Sequence, residues 1–183
     1  MLGDINPHII GFYQAVSNGR ITPTSVRVFL EREGKLLESA AEQGYAHFRV
    51  VRDRFNKQFD PLDFLFLSRA GFNGMMRFNR KGEWNIPFCQ KPERFAPAYI
   101  TKIVNQVRNV ACLMKPDWVF RVASFEEIIT EATADDIIYC DPPYIGRYVD
   151  YYSGWTEADE YQLYELLSVT PARFIMSTWH HND

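Results

Sequence analysis

The stretch "IIYCDPPYIGRY", residues 137 to 148, carries four apolar residues straight into an acid, two prolines and a tyrosine. The apolar run reads as a strand, and in open parallel sheets ligands bind beyond the carboxyl ends of the strands. Asp141 stands at that place. Pro142 and Pro143 stop the strand and fix the direction of their carbonyls, while Tyr144 offers a flat face. A carboxylate, a rigid carbonyl and an aromatic plate suit a planar molecule bearing an amino group. The carboxylate and one such carbonyl accept its two N–H bonds and the ring stacks on its face. The plainer alternative is a solvated turn in which Asp and Pro merely end a strand. Against it, average residue frequencies produce the quartet "DPPY" by chance in on the order of one chain per thousand of this size.

Strand and helix must alternate to hold such a corner, and the final third does so. "WVFRVAS" reads as a strand, "FEEIITEA" as a helix, "DIIYC" as a strand, "TEADEYQLYELLSV" as a helix and "RFIMST" as a strand, the signature of a parallel α/β sheet. Thr156 and Asp159 have the spacing of a capping box. The strand before Asp141 is expected to be central, with helices on both faces.

Upstream, "GDINP" reads as a strand end or turn. It leads into a helix with Ile9, Ile10, Tyr13 and Val16 on one face, closed by Asn18 and Gly19. A helical pattern from Thr24 to Glu42 carries Val28, Leu30, Leu36 and Leu37, and "LDFLFLSRAGF" predicts a short buried helix ending near Gly71. "GMMRFNRKGEWNIPF" alternates about a glycine-containing turn, as a hairpin does. A helix follows from Ala98 to Met114.

With 183 residues, 46% of them hydrophobic, the chain can bury a core and a smaller appended unit. Its apolar runs are too short to span a bilayer and no signal peptide is legible, so a cytoplasmic protein is expected. Cys89, Cys112 and Cys140 are too scattered for a disulfide framework or a zinc site, and no metal is expected. The formal net charge is -3. Even so, the window from Arg69 to Arg94 is basic, with Arg77, Arg80, Lys81 and Lys91 opposed by Glu83 and Glu93 alone.

"DPPY" at 141 to 144, "DIN" at 4 to 6 and "GFNGMMRFNRKGEWNIPF" at 71 to 88 occur in an order that resembles the Dam-type DNA adenine-N6 methyltransferases, which use S-adenosylmethionine. The resemblance runs from Gly3 to about Asn182. It implies an α/β, Rossmann-like class I methyltransferase core, incomplete and mainly parallel, over residues 1–19 and 99–183. A mostly helical target-recognition domain carrying the β-hairpin would be inserted at 20–98. It implies methyl transfer to N6 of an adenine flipped from duplex DNA, with Asp141, Pro142, Pro143 and Tyr144 as the catalytic group. Asp4, Phe125 and Asp141 would hold S-adenosylmethionine, although a helix-start packing role for Phe125 stays equally open. Phe72, Asn73, Met75, Arg77, Asn79 and Pro87 would contact DNA, Phe72 as a wedge in a base step and Arg77 on a guanine edge. Core packing is the other reading of Phe72 and Met75, and a solvated turn that of Arg80 and Lys81. A GATC-like site, a monomer and a restriction endonuclease acting alongside complete what the resemblance implies.

The chain departs from that pattern. Two glycine-rich segments that the family places before "DIN" do not occur in it, nor do the strands after "RFIMST". An internal piece truncated at both ends is the expectation, with an exposed sheet edge where the donor belongs. Cys89 and Gln90 replace the Gly and basic residue that follow "PF" in the family. The loop "IGRYVDYYSGWT" reads either as a flap over the base pocket or as aromatics packed on the sheet, and His180 and His181 as frayed terminal residues. A catalytically inactive DNA-binding fragment is the alternative function. A methyltransferase for cytosine N4 or a protein amide is a third, whose motif begins with Ser or Asn.

Overall fold

The computed structural model describes residues 1–38, 41–79, 81–143 and 154–177. The chain order is β1 (Leu2–Asp4), α1 (Pro7–Ser17), α2 (Pro23–Glu38), α3 (Ala41–Gln58), α4 (Pro61–Ala70), 3-10 turns at Phe72–Gly74 and Pro92–Phe95, and α5 (Pro97–Leu113). Then come β2 (Phe120–Val122), α6 (Phe125–Glu131), β3 (Ile137–Cys140), α7 (Glu157–Val169) and β4 (Arg173–Met176). The protein is a mixed α/β chain, mostly helical, with small sheets. Packing divides it into two compact units, Met1–Leu2 with Asn6–Phe120, and Gly3–Ile5 with Arg121–Asp183. Among the described residues no helix is long and apolar enough to cross a membrane.

The first unit is helical because polar side chains start its helices and apolar stripes pack them. Asn6 accepts the His8 N–H at 2.9 Å, with Pro7 in the first turn, and Asp60 and Pro61 open α4 in the same way. Val26, Leu30, Phe48, Val51, Phe55, Phe66, Leu67 and Val104 are fully buried between α2, α3, α4 and α5. Of the four apolar residues that carry the expected pattern of α2, Leu30 and Leu37 are buried. Val28 and Leu36 are exposed, and the inward stripe is Val26, Leu30, Glu33 and Leu37.

Glu33 is admitted to that stripe by pairing. It accepts from Arg32 at 2.5 Å and from His47 Nε2 at 2.7 Å, with Arg54 at 3.7 Å. Arg54 also forks onto the buried Asp63. Burial pushes the Glu33 pKa up, but the bonds from His47 and Arg32 and the charges of Arg32 and Arg54 outweigh it, holding the carboxyl below its ordinary value.

In the second unit, β3 and β4 are parallel, in register from Ile137 opposite Arg173 to Cys140 opposite Met176. Capping boxes at Ser124 and Thr156 start α6 and α7. These two helices cover one face of β3, where Ile138 joins Ile129, Leu163, Leu167 and Ala172 in a small core. Among the described residues nothing covers the other face, where Ile137 is 60% and Tyr139 65% exposed. The expectation of a strand covered on both faces is therefore corrected, because no described element packs on that side. β1 pairs with β2 as a separate two-stranded sheet.

Candidate functional site

The ladder between β3 and β4 ends just before Asp141. Ser177 N–H donates to the Cys140 carbonyl at 2.9 Å, and the Tyr139 and Ser177 hydroxyls meet at 2.8 Å, so the two strand ends are bolted together. Asp141 follows at the carboxyl end, exposed, with Pro142 and Pro143 half-buried behind it. Burial raises the Cys140 pKa. The thiol therefore stays protonated near neutral pH and is a weak nucleophile. Tyr144, the rest of the loop to Ser153, and His180 and His181 lie outside the described residues.

A second strand end lies in the same unit. Asp4 closes β1, and its carbonyl accepts the Ala123 N–H at 3.2 Å. Ser124 then caps α6, and Phe125 is the first residue of that helix. Asp4 and Phe125 thus belong to the carboxyl end of one sheet, and Asp141 to that of the other. The Phe125 ring meets the edge of Trp155 at 5.4 Å and packs against the small core, so its helix-start role is observed. The Trp155 indole N–H beside it is buried without an acceptor. Among the described residues no group of three His, Cys, Asp or Glu side chains could hold a metal ion.

In the first unit, residues 71 to 88 double back as expected, but not as two continuous strands. Two antiparallel bridges, Gly71 opposite Phe88 and Phe78 opposite Trp84, pin the loop at its base and near its tip. At the base, Phe72 N–H donates to the Pro87 carbonyl at 3.0 Å and Cys89 N–H to Ala70 at 2.9 Å. A Cβ on Gly71 would lie 2.9 Å from the Leu67 carbonyl and 3.0 Å from Ile86, so only glycine lets the chain leave α4 this closely. Asn73 (φ +52°) and Gly74 (φ +69°) then turn through the left-handed region.

The outcome is a pair of presented apolar side chains. Phe72 is 49% exposed and Met75 37%, so neither is core packing. Arg77 Nη2 donates to the Asn85 carbonyl at 3.2 Å. Asn79 builds the tip, since its Oδ1 accepts from the N–H groups of Lys81 and Glu83 and its Nδ2 donates to Glu83 at 2.7 Å. Trp84 N–H donates to Asn56 Oδ1 at 2.8 Å, which ties the tip to α3.

Sequence reasoning missed His8. Its ring stacks on Phe78 at 4.8 Å and meets Phe55 at 5.0 Å and Phe59 at 5.1 Å. Burial lowers its pKa, against the opposing effect of a hydrogen bond to the Gly82 carbonyl at the tip. No local period marks this role, because its ring partners lie more than forty residues away.

The chain matches, over residues 1–183, a family model described as D12 class N6 adenine-specific DNA methyltransferase. It is similar to the retron Ec67 DNA adenine methylase of Escherichia coli, with 30% identity over 91% of this chain and 56% of that protein. The DNA adenine methylase of Vibrio cholerae serotype O1 is 30% identical over 79% of this chain and 48% of its own length. The type II methyltransferase M.FokI of Planomicrobium okeanokoites is 28% identical over 91% of this chain and 25% of its own. The chain spans about half the length of the DNA adenine methylases it matches.

Proposed function

Because this chain belongs to the D12 class of N6 adenine-specific DNA methyltransferases, we propose that it contributes the adenine-accepting corner and the DNA-reading hairpin of a site-specific methyl transfer from S-adenosylmethionine to adenine N6. The observation that carries the reading is Asp141, exposed where the β3–β4 ladder stops, followed by two prolines. An exocyclic adenine amine is a poor nucleophile because its lone pair is delocalised into the ring. Hydrogen bonds from N6 to the Asp141 carboxylate and the Pro142 carbonyl would favour a pyramidal nitrogen, with Pro143 holding that carbonyl in place and Tyr144 stacking on the extruded base. The sulfonium supplies an electrophilic methyl carbon. As the N–C bond forms, the C–S bond breaks to leave a neutral thioether, and N6 then sheds a proton, for which Asp141 is the nearest acceptor in this reading.

For the donor, Asp4 would take the ribose hydroxyls. Phe125 would offer its free face to the adenine, and the unpartnered Trp155 N–H supports a polar group at that place. In this reading residues 1–19 and 99–183 form the partial class I core, and residues 20–98 the target-recognition domain. Phe72 would enter a base step, with Asn73, Met75, Arg77, Asn79 and Pro87 on the DNA and a GATC-like site as the target. A cytoplasmic monomer working beside a restriction endonuclease completes the proposal. One observation favours the alternative of DNA binding without methyl transfer: the two small sheets are not joined by any described strand. Labelled methyl groups transferred to duplex DNA and traced by nucleoside digestion test the reading. Label in N6-methyladenine supports it, label in N4-methylcytosine contradicts the choice of base, and DNA binding without label favours the alternative.

A further inference from the structure

Two Asn-Gly pairs occur in the chain, Asn18-Gly19 and Asn73-Gly74. Such a pair can modify itself, because a following glycine brings no Cβ to block the approach of its nitrogen to the asparagine side chain. Both asparagines are exposed. The sequence ranks the two pairs alike, and their turns separate them. In neither turn is the attack ready-made. With ψ at 14° for Asn73 and 5° for Asn18, the glycine nitrogen is turned away from the asparagine side chain. The Cα–C bond must rotate first, so the rate follows the fraction of time that each turn is open.

The turn at Asn18 is hard to open. The Asn18 N–H donates to the Gln14 carbonyl at 3.0 Å, the Gly19 N–H to Val16 at 3.2 Å and the Ile21 N–H to Ala15 at 2.8 Å. The Asn18 Oδ1 accepts the Arg20 N–H at 3.0 Å. Ile21 is 2% exposed, so rotation at Asn18 drags on an anchored core residue. Asn73 is held far less. Its φ of +52° is a left-handed conformation, which costs free energy in any residue with a Cβ, although least in asparagine. Its side chain makes no hydrogen bond among the described residues. The Gly74 N–H reaches the Gly71 carbonyl at 3.4 Å, beyond the usual range, and one bond of 3.1 Å from Met75 to Phe72 closes the turn. Phe72 and Met75 on either side are exposed, not anchored.

We propose that Asn73 is the residue at which the folded chain spontaneously deamidates, placing an acid beside Phe72 at the start of the hairpin. The Gly74 N–H gives up its proton to base and the nitrogen attacks Asn73 Cγ. The bond from Cγ to the side-chain nitrogen breaks, and ammonia leaves with a proton from solvent. Water then opens the succinimide at either carbonyl, giving isoaspartate or aspartate. Either product carries a negative charge, and isoaspartate also adds a carbon to the backbone of a turn that must hold its shape. The chemical step stands apart from the DNA-binding reading of the hairpin. Its consequence rests on that reading: a carboxylate there repels phosphates.

The test is peptide mapping by mass spectrometry of the full 183-residue chain after ageing in mildly alkaline buffer, folded and in urea. In urea the two pairs should convert at rates within a few fold of each other, because the turns are gone. In the folded chain Asn73 should convert about tenfold faster than Asn18 or more, with isoaspartate among the products, as the cyclic route requires. Asn18 keeping pace with Asn73 in the folded chain, aspartate alone at position 73, or no conversion at Asn73 while the unfolded chain converts would each overturn the proposal. Duplex DNA binding by the aged chain separates the consequence from the step. Affinity that falls in step with conversion, and holds in an Asn73→Gln chain aged alongside, supports both. An aged chain that carries the acid and binds duplex as tightly as fresh protein contradicts the DNA-binding reading of Asn73 and leaves the modification site standing.

Discussion

Phe72 shows how much one residue's role depends on the backbone beneath it. Gly71 leaves α4 too closely for any Cβ, Asn73 and Gly74 take left-handed conformations, and the phenyl ring between them is left exposed. If that ring fills the space of an extruded base, Phe72→Ala should lower kcat/KM on a fully paired duplex by about tenfold or more, where a decade corresponds to about 1.4 kcal/mol. The loss should be much smaller when the target adenine sits in a mismatch, because unpairing then costs less. Equal losses on both substrates would speak against the wedge. At this scale the sequence was informative. The strand end at Asp141 is a local signal, written in its neighbouring residues, whereas the left-handed turn at Asn73 and Gly74 was not expected. His8 escaped notice because its ring partners are distant in the chain and leave no period to read.

Among the elements, the hairpin is held less by its own ladder than by what packs beneath it. Two bridges are a weak scaffold, so the tip is held as well by the Asn79 side chain, by the Trp84–Asn56 bond, and by the His8 ring against Phe78 with its bond to Gly82. His8→Phe preserves the stacking and deletes the bond. Amide exchange at Asn79, Gly82 and Asn85 should then accelerate about tenfold while the amides of α3 keep their protection. Uniform acceleration would mean a general loss of stability instead. The helices offer a second test. The Glu33 pKa is depressed in the folded unit, so the stability that this carboxylate contributes is present above the ordinary value of 4.5 and is lost as pH falls through its lower folded value. Urea midpoints between about pH 3 and 6 should fall on acidification more steeply for the wild type than for Glu33→Gln; parallel curves would contradict the network. Helix existence was legible from capping residues and length for most helices, but α3 was not expected from the sequence. The inward face of α2 was not legible in full, because a glutamate is buried there only on account of His47, Arg32 and Arg54.

At the level of the whole molecule, an acidic chain carries a basic window, Arg69 to Arg94, that includes the hairpin. The alternation of strands and helices in the final third was readable from apolar runs and caps. Two things were not: α1 and α5 pack with α2, α3 and α4 in one compact unit, and among the described residues no element covers one face of β3. Both depend on which surfaces find partners, and sequence periodicity does not specify partners. The central claim is that the corner at Asp141 accepts an adenine amine for methylation. The most direct measurement is transfer of labelled methyl from S-adenosylmethionine to duplex DNA by the full chain and by its Asp141→Ala variant, with DNA affinity measured for both. The account predicts N6-methyladenine from the wild type, a loss of at least about a hundredfold in the variant, and duplex affinity within a few fold of the wild type. Methylation that survives in Asp141→Ala, or a wild-type chain that binds both donor and DNA yet transfers nothing, would contradict it.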